Sequence, residues 1–242
     1  MKSFNQYVTE STTMLQIANS NGYNIHAFHG TKLRGFTTFE TRYINSGIVN
    51  SNSSGGFYFT SKYSAAEYFA DAILITKDSN ISLEYYNINI YGNGPFFIII
   101  EDEVDDENDE NGETTVSINA GPFATEEDAD REGHIIIDRW NNSNIGDEIY
   151  EDTGILNVFL RILNPKIVNS VKELRGVELT AKEDGYDGII ARDIIDGDVS
   201  STVYIVFNPN NIKFADNVTY DNTGKIIPRS QRFDVTNSDM RY

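Results

Sequence analysis

The chain has 242 residues, enough to bury a core of its own, and its 39% hydrophobic content with 14 Tyr and 14 Phe excludes a disordered polymer. It contains no cysteine, which excludes disulfides and thiolate metal sites and suits a reducing cytoplasm. A formal net charge of −18 repels phosphate backbones and argues against nucleic acid as a partner; without an apolar run of about 20 residues or a signal-peptide h-region, a soluble chain with no membrane partner is expected.

Tyr7, Val8, Met14, Leu15 and Ile17 make a weak helical pattern over residues 4–20 that stops at Asn19-Ser20-Asn21-Gly22, so residues 1–24 read as a helical lead-in. Ile25-His26-Ala27-Phe28-His29 is a short strand stopped by Gly30, which places His29 at a strand end. Lys32, Arg34 and Arg42 form the basic grouping of the first fifty residues, of a kind a pyrophosphate site uses. Polar residues from Thr37 to Gly56 read as a surface loop. Gly56-Phe57-Tyr58-Phe59-Thr60 is aromatic enough for a strand, and Ser61 is placed to cap a helix over Tyr63–Ala70.

Further strands are expected at Phe96–Ile100, His134–Asp138, Leu156–Ile162, Gly188–Ala191 and Val203–Phe207, each a short Ile/Val/Phe run between turn residues. They do not alternate with helices, so an α+β sheet or sandwich is favoured over a doubly wound fold. Glu101–Glu113 has nine carboxylates in thirteen positions and reads as an exposed insertion. Glu107, Asp109, Asn111 and Gly112 match the start of a calcium loop, but its last liganding place falls on Ile118, and no metal is assigned. His26, His134 and Trp140 have no partner spacing that suggests a site.

Phe28-His29-Gly30-Thr31, followed by Gly56-Phe57-Tyr58-Phe59-Thr60 and a helix bearing Ser64 and Tyr68, resembles the NAD-binding signature of the His-Tyr-Glu class of ADP-ribosyltransferases, which includes the diphtheria-like toxins and the poly(ADP-ribose) polymerases. Further segments follow in order: Phe159–Pro165, Gly185-Tyr186-Asp187-Gly188-Ile189-Ile190 and Phe207-Asn208-Pro209-Asn210-Asn211-Ile212-Lys213. Together they are similar to the polyvalent-protein ADP-ribosyltransferase family of phages over residues 14–242, the acidic insertion excepted.

The resemblance implies a split antiparallel β-sandwich with peripheral helices, a domain over residues 25–216 and a tail over 217–242. It implies NAD as substrate without a metal, and His29 and Tyr58 as catalytic residues. Cofactor binding falls to His29, Gly30, Thr31, Tyr58, Ser64 and Tyr68. Tyr58 and Tyr68 would sandwich the cationic nicotinamide, the Gly30 main chain would meet its carboxamide, Ser64 would add a hydroxyl, and His29 would hold the adenosine-side ribose. The three rings are then expected to converge on one cleft. Val203 occupies the place of the family's glutamate in Val203-Tyr204-Ile205-Val206-Phe207, which implies transfer of one ADP-ribose at most. The expected partner is a protein acceptor of host or phage, met in the host cytoplasm or from the virion. The alternative is a catalytically silent virion component of the same fold.

Overall fold

The computed structural model describes residues 14–41, 55–84, 86–93, 95–105, 113–196 and 198–242. The calcium-loop positions at 107–112, Arg42, and the lead-in before Met14 lie outside the described residues. In chain order the elements are α1 (residues 14–20), β1 (Ile25–Gly30), β2 (Phe57–Thr60), α2 (Tyr63–Glu67), β3 (Ile73–Thr76), β4 (Asn87–Tyr91), β5 (Phe96–Asp105) and β6 (Glu113–Phe123). There follow α3 (Glu126–Asn142), β7 (Glu148–Asp152), β8 (Ile155–Leu160), β9 (Pro165–Val168), α4 (Val171–Val177), β10 (Gly188–Asp196), β11 (Val199–Val206) and β12 (Ile212–Phe214). The architecture is α+β, and no described helix is long and apolar enough to cross a membrane.

The chain divides into two compact units, one from residues 1–30, 37–69 and 155–242, the other from 31–36 and 70–154. The first unit holds a seven-stranded sheet in the order β12-β8-β1-β2-β11-β10-β9. It is antiparallel except where β9 runs beside β10 in parallel. Gly188 opens β10 because a Cβ there would stand 2.6 Å from the Ile205 carbonyl oxygen. The turn before it is scaffold: Asp187 accepts from the N–H groups of Leu163 (2.7 Å) and Asn164 (2.9 Å).

The second unit holds the sheets β3-β7 and β4-β5-β6 with α3. Here one expected strand is a helix. His134–Asp138 lies inside α3, whose start is capped by Thr125 Oγ1 accepting from the Asp128 N–H at 3.0 Å and carries Glu126, Glu127 and Asp128 in its first turn. The isoleucines belong to an amphipathic face, Ala129, Gly133, Ile136, Ile137 and Trp140, which buries against Leu83, Ile98, Ile100 and Phe123.

The acidic segment also differs from the expectation of an excursion over its whole length. Glu101–Asp105 continue β5 and pair with Glu113–Ser117 of β6, and Asp102, opposite Val116, is buried. The ladder, with Asp102 opposite Val116 and Val104 opposite Thr114, gives the backbone of this acidic run its partners, although its sequence offers little apolar surface to bury. Residues 106–112 of the insertion lie outside the described residues.

Residues 217–242 belong to the first unit, where Ile227, Phe233 and Met240 are buried. Two buried cations tie this segment to the sheet. Lys213 Nζ donates to the carbonyls of Asn237 (2.6 Å) and Asp239 (3.0 Å), and Arg232 donates to those of Asp216 (2.5 Å) and Phe214 (2.7 Å). Burial pushes the Lys213 ammonium down to about 8 against the pull of Asp234 and Asp239, and pushes Arg232 down to about 10.

The Lys213 shift sets a pH dependence. The unfolded lysine titrates at its ordinary 10.5 and the folded one at about 8, so between these values the unfolded chain holds a proton that the folded chain has released. Stability from this group therefore rises with pH across that window. Urea unfolding from about pH 7 to about pH 10 should show a rise that Lys213→Met lacks, a difference in slope totalling about 1–3 kcal/mol. Parallel curves for the two proteins would show that the ammonium is not desolvated.

Candidate functional site

The residues singled out by the sequence gather in the first unit where β1 and β2 part. β1 pairs with β8 from Ile25↔Leu160 to Gly30↔Ile155, but with β2 at one position only, Phe28↔Thr60. β2 pairs with β11 over four positions, from Phe57↔Val206 to Thr60↔Val203. The two strands therefore touch at Phe28↔Thr60 alone, and beyond it, where His29 and Gly30 run alongside Phe59 and Tyr58, no ladder pair joins them. Backbone groups at a split need another partner or a ligand.

His29 supplies one partner. Its Nδ1 lies 2.7 Å from the Tyr58 carbonyl oxygen. A carbonyl only accepts, so Nδ1 carries the proton. Burial holds the imidazole below its ordinary pKa, opposed by the bond to Tyr58, and the ring is neutral with a bare lone pair on Nε2. Nε2 makes no hydrogen bond among the described residues. The ring is fixed edge-on to Phe39, with centroids 5.0 Å apart, and tilted against Phe59 at 5.4 Å.

Strand alternation separates the expected rings. Phe28, Thr60 and Val203 share one face through their pairing, with Tyr58 and Ile205 beside them, while Phe59 and His29 lie on the other. The His29 and Tyr58 rings therefore leave the sheet on opposite faces, and the two residues meet through the Tyr58 carbonyl instead.

Helix α2 packs on the Tyr58 face, with Phe28 and Tyr63 ring centroids 5.6 Å apart and Ala65 and Ala66 buried. Gly30 makes this approach possible, since a Cβ there would stand 2.0 Å from the Ala66 carbonyl oxygen. The helix turns Ser64 and Tyr68 outward; Tyr68 is 65% exposed, its ring 5.1 Å from that of Phe69. Ser61, expected as the cap, has another role: the N-cap is Lys62, without a side-chain cap bond. Ser61 Oγ accepts from the Thr202 N–H (2.9 Å) and the Ser61 N–H donates to the Thr202 carbonyl (2.9 Å), closing the end of the β2–β11 ladder.

Thr31 belongs to the second unit. Its N–H donates to the Gly154 carbonyl at 2.8 Å and its Oγ1 accepts from the Leu33 N–H at 3.0 Å. The basic residues beside it are engaged within the same unit, Lys32 with Asp71 (2.8 Å) and buried Arg34 with Asp152 (3.1 Å).

Sequence reasoning missed Glu178. Helix α4 packs on the Val203 face over β10 and ends in Glu178 as its C-terminal cap. The Tyr58 hydroxyl donates to Glu178 Oε2 at 3.1 Å across 120 residues of chain. Burial, then the charge and hydrogen bond of Glu178, push the Tyr58 phenol well above its ordinary range, so it stays protonated. Val203 is 4% exposed in an apolar cluster with Leu174, Ala191 and Ile205. Tyr58 and Val203, on neighbouring strands, thus lie between α2 and α4 on one face. Among the described residues no group of three or more His, Asp or Glu is placed to hold a metal.

A family model described as ADP-Ribosyltransferase in polyvalent proteins matches residues 19–222, the greater part of the chain. No curated protein and no solved structure matches it.

The approach of α2 to β1 gives a test independent of any ligand. Gly30→Ala should displace α2 or strain the strand, lowering stability by about 1–3 kcal/mol. Thermal unfolding reads it, and an unchanged midpoint would show that α2 does not pack on Gly30.

Proposed function

Because the chain belongs to the family of ADP-ribosyltransferases in polyvalent proteins, we propose that it cleaves NAD between nicotinamide and ribose and transfers one ADP-ribose to a protein of host or phage. The observation that carries this reading is the split between β1 and β2, with Gly30, the His29–Tyr58 bridge and α2 around its open end. Nicotinamide in NAD is flat and cationic, and Tyr58 and the exposed Tyr68 ring offer it stacking and cation–π attraction. The Gly30 main chain and the Ser64 hydroxyl serve its carboxamide. Neutral His29, with Nε2 bare, accepts from a ribose hydroxyl while Nδ1 holds β2.

The bond cleaved passes through an oxocarbenium-like transition state, which a nearby carboxylate stabilises. Val203 offers none, and it supports transfer that is slow and stops at a single unit. The same residue favours a second reading, a silent ADP-ribosyltransferase fold delivered with the virion that binds NAD without transferring it. Either protein would meet NAD in the host cytoplasm.

Incubation with labelled NAD and a bacterial lysate should give labelled protein and free nicotinamide. Binding of NAD with neither product would favour the silent reading. Calorimetry on folded Tyr58→Ala and His29→Ala variants should show each losing about 1–2 kcal/mol of NAD affinity, five- to thirtyfold. Unchanged affinity in both would falsify this assignment of the site. Val203→Glu tests the missing carboxylate: its apolar surroundings should raise the new pKa, so nicotinamide release should exceed that of the parent only toward alkaline pH.

A further inference from the structure

Positive charge is present on nicotinamide before NAD is cleaved and on the ribose as it is cleaved, and Val203, on the strand beside Tyr58, offers it no carboxylate. A carboxylate nevertheless reaches this face of the sheet from another element. The geometry points to Glu178 as the residue that supplies negative charge at the nicotinamide end of the site and selects the oxidised, cationic dinucleotide over the reduced, neutral one. This rests on the NAD reading above.

Four observations carry it. Glu178 Oε2 accepts the single phenolic proton of Tyr58 at 3.1 Å, so the carboxylate is held against the ring assigned to the nicotinamide. Its Oε1 makes no hydrogen bond and its charge has no ion-pair partner among the described residues, so neither is already spent. The main chain that carries it packs close to Gly55, which has φ +110 and where a Cβ would lie 3.2 Å from the Glu178 carbonyl oxygen. Finally, Glu178 is the C-terminal cap of α4, where aligned carbonyl dipoles oppose a negative charge. Arg175 stands in the same last turn, but no ion pair joins it to Glu178 among the described residues, so the carboxylate is set against that local preference, which a cationic ligand would offset.

In the reaction the C1′–N bond breaks with its electron pair going to the ring nitrogen, which leaves as neutral nicotinamide. A lone pair of the acceptor closes on the cationic C1′, and the acceptor's proton passes to water. Glu178 forms no bond and moves no proton. Its charge stabilises the cation on the ring and then on the ribose.

The experiment measures the affinity of the whole chain for NAD and for NADH, with nicotinamide release from NAD, in the parent, Glu178→Gln and Glu178→Asp. Glutamine keeps an acceptor for Tyr58 and removes the charge. The parent should prefer NAD over NADH by on the order of tenfold, as for a unit charge a few ångströms away in a partly wet site. Glu178→Gln should erase the preference and slow any nicotinamide release about a hundredfold, and Glu178→Asp should restore the preference in part. The inference is overturned if the parent binds both forms alike, if Glu178→Gln keeps the preference, or if it weakens both forms equally, the mark of a structural role. Failure of the parent to bind either form would instead overturn the NAD reading and take this inference with it.

Discussion

The 2.7 Å contact between His29 Nδ1 and the Tyr58 carbonyl is the interaction on which the arrangement of the site depends. β1 and β2 share a single paired position, so nothing in the ladder fixes how far they part beyond Phe28 and Thr60. A side chain that donates to the opposite backbone sets that spacing at one point and leaves the rest of the split open. The bond is effective because the imidazole is neutral and enclosed by Phe39 and Phe59, where a charged ring would be desolvated.

From this point the two faces of the sheet acquire different tasks. The His29 face carries the aromatic packing of Phe39, Phe57 and Phe59, whose tilted and edge-on rings hold the bridge. The Tyr58 face carries the two helices. Gly30 lets α2 come close on one side, and the apolar floor of Val203, Ile205 and Phe207 seats α4 on the other. Tyr58, between them, donates its hydroxyl to the end of α4. A one-residue slip of β2 would exchange these faces and lose both the bridge and the phenol's partner.

How much was legible in the sequence follows from the range of the forces involved. β1, β2, α2, β8, β10 and β11 are written locally, as short apolar or aromatic runs punctuated by Gly, Asp and Asn. Ile135–Ile137 also looks like such a run, yet it is one turn of α3, and the decisive signal was the cap Thr125 with Glu126, Glu127 and Asp128 upstream. Gly30 was legible as a glycine that something approaches, but the nearest approach is the Ala66 carbonyl. The separation of the His29 and Tyr58 rings needed the register Phe28↔Thr60, which no spacing between motifs reveals. Glu178 was illegible for the same reason: only the order β2-β11-β10 brings the end of α4 to Tyr58.

The placement of charge on this face has a physical logic. At position 203 the side chain is 4% exposed among Leu174, Ala191 and Ile205, and a carboxylate there would exchange water for an apolar cluster. The valine instead contributes to the packing that seats α4 against β10. Glu178 lies at the rim of that packing, partly exposed, with one oxygen bound to the Tyr58 hydroxyl and the other without a protein partner among the described residues. A charge at a helix end, rather than in the strand interior, leaves the apolar floor free to close beneath it. The cost is positional: a strand residue is fixed by its ladder, whereas a residue at a helix terminus depends on its contacts. The hydrogen bond from Tyr58 is the contact that holds it, and it ties the charge to the same strand that His29 holds in place.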